Sequence, residues 1–463
     1  MNVILLSAIL GVVMMFAGIA TKKSANIRYT AIIGLIFLLL ANCANSCGWF
    51  SLKIDTTNFL SFSNFSYLIN SILIFSTLIY VLLSGKAIEQ VGVNVAEYFA
   101  LIFFVLCGTF ILSSYDNLLM LFLGVEIMTI PLFILTGADK RNLKSNEASL
   151  KYFLMGAFST GIMLMGIALV YGISGSFAVD QQVSMVATTG QMPSAGILLP
   201  IGLLFLFMAM AFKVSAAPFH FWTPDVYDGA PAVFTSFMAT IVKAAGFVAF
   251  IKLFAFRQEQ LGPSFKIIVP LVIVATLLVG NITAVFQQSV KRMLAYSSIA
   301  QAGFMLFALY STNDLAREGI VLYAIAYSLA TIGIFAVLVK MKDYTFDGFN
   351  GLAKQQPLVA LATTICLLSL AGIPLTAGFF AKYFMLAAAL KSGASFALVI
   401  VAVLFAAVSV YYYFRVIQAM YFKSGEAQIE QVDGALKIGL VTITALILLL
   451  GVYPSLVTQW LYF

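Results

Sequence analysis

Apolar runs of about twenty residues recur from one end of this chain to the other, and the connections between them are short. Few folds accommodate that. Within a bilayer every backbone amide and carbonyl needs a partner inside the protein, so each run reads as a membrane helix. About fourteen are expected, at 3–20, 29–47, 67–83, 98–112, 118–135, 152–171, 197–221, 231–254, 267–286, 293–310, 320–339, 358–390, 396–420 and 438–456. Of 463 residues, 62% are hydrophobic and 9% charged, which leaves no material for a sizeable aqueous domain. The expected fold class is an all-α membrane protein.

The formal net charge of +7 raises nucleic acid as a partner, but the basic residues form no patch and sort by loop instead. With the first helix running from outside to inside, the inside loops hold Lys22, Lys23, Arg28, Lys86, Lys140, Arg141, Lys144, Lys291, Arg292, Lys340, Lys342, Lys354, Lys423 and Lys437. The outside loops hold only Lys53, Arg257, Lys266, Arg317 and Lys391. Cytoplasmic loops carry the Lys/Arg excess, so both termini are expected outside. The first apolar run precedes its lysines, the reverse of a signal peptide, and is expected to be a retained helix. Cys43, Cys47, Cys107 and Cys366 fall within or at the ends of helices. A disulfide or metal clip is one reading of the shared face of Cys43 and Cys47; small residues packing in a membrane helix is the favoured one. Zinc, iron–sulfur, dinucleotide and phosphate-loop spacings do not occur, so no redox chemistry is expected on this chain.

Lys213 closes one apolar run, and a proline-punctuated polar stretch follows: Pro218, His220, Trp222, Pro224, Asp225. A central lysine costs about 3 kcal/mol to insert, so residues placed this way are read as functional. Glu126, Lys243 and Lys382 occupy comparable positions, and the four together point to a buried path for ions. Alone, Glu126 would take up a proton; beside a lysine it stays charged, and the two titrate as a unit. Lysine suits such a path because burial moves its proton affinity readily, whereas arginine stays charged. Lys382 has no acid on its own helix, and snorkelling is its bland reading. Lys151 reads as snorkelling or as part of the path. His220, the only histidine, reads as structural or as a proton relay beside the break. Asp225 and Asp228 read as loop anchors or caps, and Arg415 as a snorkelling anchor in an aromatic belt.

Interrupted hydrophobic segments in corresponding positions of two halves are the best sequence pointer to a transport site. One such segment is 211–221, with its break at Pro218; the other is 369–379, with its break at Pro374. Each is the fourth helix of a five-helix block, and an odd number of helices gives the two copies opposite topology. The expected division is 1–96 for helices 1–3, 97–262 for the first inverted repeat, 263–424 for the second, and 425–463 for helix 14.

The stretch Phe212-Lys-Val-Ser-Ala-Ala-Pro-Phe-His-Phe-Trp-Thr-Pro-Asp-Val-Tyr-Asp-Gly-Ala-Pro231 and the stretch Lys291-Arg-Met-Leu-Ala-Tyr-Ser-Ser-Ile-Ala-Gln-Ala-Gly-Phe304 are long and specific. They resemble the antiporter-like subunits of proton-pumping NADH:quinone oxidoreductase, respiratory complex I, a family that also includes subunits of multi-subunit cation/proton antiporters. Within it, the run from Thr223 to Pro231 is similar to the subunit N group, as are the lysine at position 382 and the absence of a long lateral helix. Asp228 departs from the glutamate common there. The resemblance implies a proton-translocating translocase subunit in which Glu126 and Lys213 form a pair, Lys243 connects, and Lys382 is terminal. It implies no cofactor on this chain, with NADH, FMN, iron–sulfur clusters and quinone on other subunits. Implied partners are the antiporter-like subunit M, the small subunits A, J and K, and the lateral helix of subunit L, in a bacterial inner membrane. A subunit of a stand-alone cation/proton antiporter and a non-transporting scaffold are the competing readings.

Overall fold

The computed structural model describes residues 2–21, 23–49, 55–179, 195–255, 262–311 and 313–462, with backbone alone at 195–197, 255 and 262–264. Lys22, Lys53 and Arg257 lie outside the described residues. Among those described no strand forms, only isolated bridges between loops. The long helices are α1 (Asn2–Ala20), α2 (Ser24–Ser46), α3 (Asn64–Val91), α4 (Val95–Ser114), α5 (Leu118–Thr136), α6 (Leu143–Ser174), α7 (Ala195–Lys213) and α8 (Ala232–Phe254). They continue as α9 (Gly262–Val285), α10 (Val290–Ser311), α11 (Asp314–Leu338), α12 (Pro357–Ala371), α13 (Ala377–Lys391), α14 (Phe396–Phe422) and α15 (Gly434–Val452).

Twelve helices among the described residues are long and apolar enough to cross a membrane. Shorter apolar helices stand at Leu198–Lys213, within α7, and at α12, where the sequence places its two breaks. After Lys213 the chain leaves helical geometry until a short helix, Trp222–Gly229; after Ala371 it does so until α13. Several helices outrun their expected bounds. Hydropathy marks only the apolar part, and polar ends continue the helix where a cap satisfies the first amides. Ser63 Oγ accepts from the Ser66 amide at 3.3 Å to start α3, and Asn142 Oδ1 accepts from the Lys144 amide at 3.0 Å to start α6.

Without a hydrophobic drive between helices in lipid, close backbone approach holds them together, and small residues permit it. At Gly108, where α4 meets α5, a Cβ would lie 2.5 Å from the Met128 amide nitrogen. At Gly280, where α9 meets α10, it would lie 2.5 Å from that of Ala300. The main packings are α1 on α4, α2 on α3, α6 on α7, α9 on α10 and α11 on α13. In addition, α10 lies against Trp222–Gly229 and α11 lies against α8. α8 contains a π turn, Met238–Val242, immediately before Lys243. Loop contacts gather at two ends. At one, Lys86 pairs with Asp433, Lys340 with Glu430 at 3.5 Å and Lys423 with Asp347 at 3.7 Å. At the other, Asn313 donates to Ser392 at 2.9 Å and Tyr462 to Glu318 at 2.5 Å.

Candidate functional site

The close approach at Gly108 fixes α5 on α4 and so places Glu126, Met128 and Thr129. Thr160 Oγ1 of α6 donates to Glu126 Oε1 at 2.8 Å. Lys213 Nζ, from the last residue of α7, donates to Thr129 Oγ1 at 3.3 Å. Residues three apart lie on one helix face, so α5 offers an acid and a hydroxyl side by side. The expected pair of Glu126 and Lys213 is therefore indirect. Thr129, one turn along α5 from Glu126, takes the direct contact with the Lys213 amine. At the break itself, Phe212 O accepts from the Trp222 indole at 3.0 Å and from the Ser215 amide at 3.1 Å. Ser215 carries a positive φ of 64°.

Lys243 is 2% exposed. Its ammonium donates to the Ser298 carbonyl at 2.9 Å and to the Ser298 hydroxyl, both on α10. This amine thus ties α8 to α10. The Tyr227 ring stands 6.0 Å from it.

Lys382 reaches back from α13 to the end of α12, donating to Leu370 O at 2.8 Å and Ala371 O at 2.9 Å. The last carbonyls of a helix lack intrahelical partners, and that end of the dipole favours a cation. The Phe304 ring lies 4.7 Å from the ammonium. Gly372 caps α12 at φ +84°, and a Cβ there would sit 2.9 Å from Lys382 Cδ. Glycine meets both demands, the left-handed turn and the side chain lying over it.

Between Lys243 and Lys382 lie groups that the search for charges passed over. Gln301 Nε2 donates to Leu370 O at 2.8 Å and to Tyr413 Oη at 3.2 Å, and Tyr323 Oη donates to Gln301 Oε1. Ser297 Oγ and Tyr413 Oη are 2.5 Å apart. A cavity of about 10 Å³, the size of one water, is lined by Gln301, Tyr323, Tyr327, Ser369 and Lys382, among others. The signal was available in Ser297-Ser298 and Gln301, polar residues one turn apart in an apolar helix.

Lys151 lies elsewhere, in ion pairs with Glu147 at 2.8 Å and Asp225 at 3.0 Å. Asp225 also pairs with Arg292 at 3.1 Å, and Arg292 with Asp228 at 3.8 Å. Burial raises the Asp225 carboxyl, but Lys151 and Arg292 outweigh it and hold it below the usual aspartate range. These aspartates tie three helices together. His220 is 7% exposed, and its Nδ1 lacks a partner in hydrogen-bond geometry. Arg415 donates to Val285 O at 2.7 Å and stacks 4.1 Å over Phe346, closing the end of α9. Cys43 on α2 and Cys47 just past its end are exposed free thiols.

Residues 115–409 match the family described as NADH:quinone oxidoreductase/Mrp antiporter, TM. The chain is 39% identical to NADH-quinone oxidoreductase subunit N of Cytophaga hutchinsonii, over 99% of both chains. It is 36% identical to NADH-quinone oxidoreductase subunit N of Trichlorobacter lovleyi, over 98% of this chain and 94% of that one. Its fold superposes on a chain of respiratory complex I from Thermus thermophilus with a TM-score of 0.82 and 30% identity, covering 99% of this chain and 98% of that one. With its interrupted helices, buried lysines and full-length likeness to these chains, the protein belongs to the NADH-quinone oxidoreductase subunit N family of antiporter-like membrane proteins.

Proposed function

We propose that the chain is a proton-translocating membrane-arm subunit of a NADH:quinone oxidoreductase, a translocase subunit with no redox centre of its own. Flavin, iron–sulfur clusters and quinone belong to other subunits in this reading. The neighbours in the arm are the antiporter-like subunit M, the small subunits A, J and K, and the lateral helix of subunit L. The protons pass from Glu126 and Lys213 through Lys243 to Lys382, with Lys151 and His220 at the margin. Twelve uninterrupted spans and the two broken ones add to fourteen, with both termini outside a bacterial inner membrane. The matched close packings of α4 on α5 and of α9 on α10 support two inverted five-helix repeats, 97–262 and 263–424.

The observation that carries this reading is the contact of Lys243 with Ser298, a buried amine of α8 held on α10. Such an amine can lose a proton toward one side and gain one from the other, because lysine, unlike arginine, gives up its charge on burial. Each proton moved against about 150 mV costs roughly 3.5 kcal/mol, so the energy must arrive from redox steps through subunit contacts. The test is NADH-driven proton uptake in reconstituted vesicles. Glu126→Gln and Lys213→Ala are expected to leave the complex assembled and lower uptake about tenfold or more. Unchanged uptake in both variants sinks the assignment; lost assembly in both makes the chain a scaffold. If the chain purified from its native membrane carries no flavin-bearing partner, it belongs instead to a cation/proton antiporter.

A further inference from the structure

A polar cleft of about 430 Å³ opens at the end of the molecule where the charge-rich loops meet, with Ala87 and Gln90 of α3 in its wall. Its rim is exposed at Gln90, Asn142 and Lys144, and its floor is Lys291, 3% exposed. That volume holds many waters. The Lys291 ammonium donates to Asp228 O at 2.7 Å and to Ala230 O at 2.6 Å. The Tyr344 ring stands 5.4 Å from it. Asp139, Lys144 and Asp228 are the other charged groups lining the cleft. None of them forms an ion pair with Lys291; Asp228 turns to Arg292 at 3.8 Å. An ammonium has three donors, and two carbonyls leave one for water in the cleft.

The cleft floor also connects inward. Lys291 and Ser298 stand seven residues apart on α10, about 10 Å along the axis at 1.5 Å per residue. Two adjacent residues, Tyr227 and Asp228, stand at its two ends. Tyr227 faces Lys243 at 6.0 Å, and the carbonyl of the next residue, Asp228, accepts from Lys291.

We infer that Lys291 is a proton-loading residue, filled from the cleft and emptied toward Lys243 by way of Tyr227. This rests on the proton-transfer reading above. A hydronium in the cleft transfers its proton to the neutral Lys291 amine and leaves as water. A Lys291 N–H bond then breaks as the Tyr227 oxygen gains that proton, and the tyrosine's own proton forms a new N–H bond on neutral Lys243. The tyrosine ends unchanged, and the net step moves one proton from the cleft to the seam between the repeats.

A purely structural lysine would only pin the turn at 228–230, and arginine would pin it equally well. Lys291→Arg keeps charge and donors but cannot release a proton. In the whole complex in vesicles, Lys291→Arg is expected to lower the initial rate of NADH-driven proton uptake at least about fivefold, with subunit composition unchanged. Uptake near that of the unaltered complex overturns the inference. Should Lys291→Arg fail to assemble, Gln90→Cys in a Cys43→Ser/Cys47→Ser background decides, since it leaves Lys291 in place. Reaction of that thiol with a bulky maleimide is expected to slow uptake several-fold, and unaltered uptake after complete labelling overturns the inference. Lys213→Ala run in parallel separates the two levels. If it stops uptake while Lys291→Arg does not, only the loading role fails. If neither slows uptake, the proton-transfer reading itself falls.

Discussion

At the first break, Lys213 leaves its own helix and reaches a hydroxyl on α5, one turn from an acid. At the second, Lys382 folds back onto the carbonyls that its break has freed. The difference lies in who satisfies the helix end. Trp222 donates to Phe212 O at the first break, which releases Lys213 for other work. At the second break Gln301 takes only part of that role, at Leu370 O, and Ala371 O depends on the lysine. Both breaks turn through a non-glycine residue of positive φ, Ser215 at 64° and Leu375 at 71°. The two sites thus share a backbone device and differ in their side-chain bookkeeping: one lysine is poised beside an acid, the other is parked on a helix dipole.

The comparison is most exposed at Lys382. Lys382→Arg keeps the cation on the carbonyls yet cannot shed a proton, so uptake in vesicles is expected to fall about tenfold or more, as far as with Lys382→Ala. Full activity with arginine would reduce this lysine to a helix cap. Stability should separate the two sites next. Lys382→Ala strands a buried carbonyl and is expected to cost about 1–3 kcal/mol, whereas Lys213→Ala loses one 3.3 Å contact and costs under about 1 kcal/mol. Thermal unfolding of the two purified complexes reads this, and equal losses would erase the proposed contrast. Trp222→Phe sharpens the same point from the other side. Without the indole donor, Phe212 O keeps only the Ser215 amide and offers its second lone pair to Lys213, and uptake is expected to drop about two- to fivefold with Glu126 untouched; no change would mean that the indole does not hold the lysine free.

The smallest effect belongs to Asp225, which moors the short helix after the first break and has no counterpart at the second. Its carboxyl is held below the usual aspartate range, so its contribution is present at neutral pH and fades as acid protonates it. The pairs are more than a third exposed, and Asp225→Asn is expected to cost under about 1 kcal/mol at pH 7. A larger loss in melting experiments would make the mooring a main support of the first break.

The all-helical membrane fold and the two interruptions were legible because hydropathy reports burial in lipid directly, and Pro218 and Pro374 mark where helical hydrogen bonding must stop. Lys243 and Lys382 stood out for the same reason: a charge in an apolar run has no cheap explanation. The partners of those lysines were not legible. Ser298, Thr129 and the Leu370 and Ala371 carbonyls are uncharged, and which of them an ammonium meets depends on helix packing rather than on spacing. Arg415 was read as a snorkelling anchor in an aromatic belt; its guanidinium stacks on Phe346 and closes the end of α9, a partner that a position near a helix end does not reveal. Lys291 was counted among loop charges; only the fold puts it on the floor of a cleft.

The π turn at Met238–Val242 carries one more consequence. Before it, α8 packs on α3 and α11; after it, the same helix packs on α4, α7 and α10. A π turn accommodates one extra residue, and each residue of an α-helix advances about 100° around the axis. Take one residue out of that turn and every side chain downstream rotates by that angle. Lys243 would then leave Ser298 while the residues before the turn kept their neighbours. The angular phase of a single helix, set by one surplus residue, is what lets Lys243 face α10.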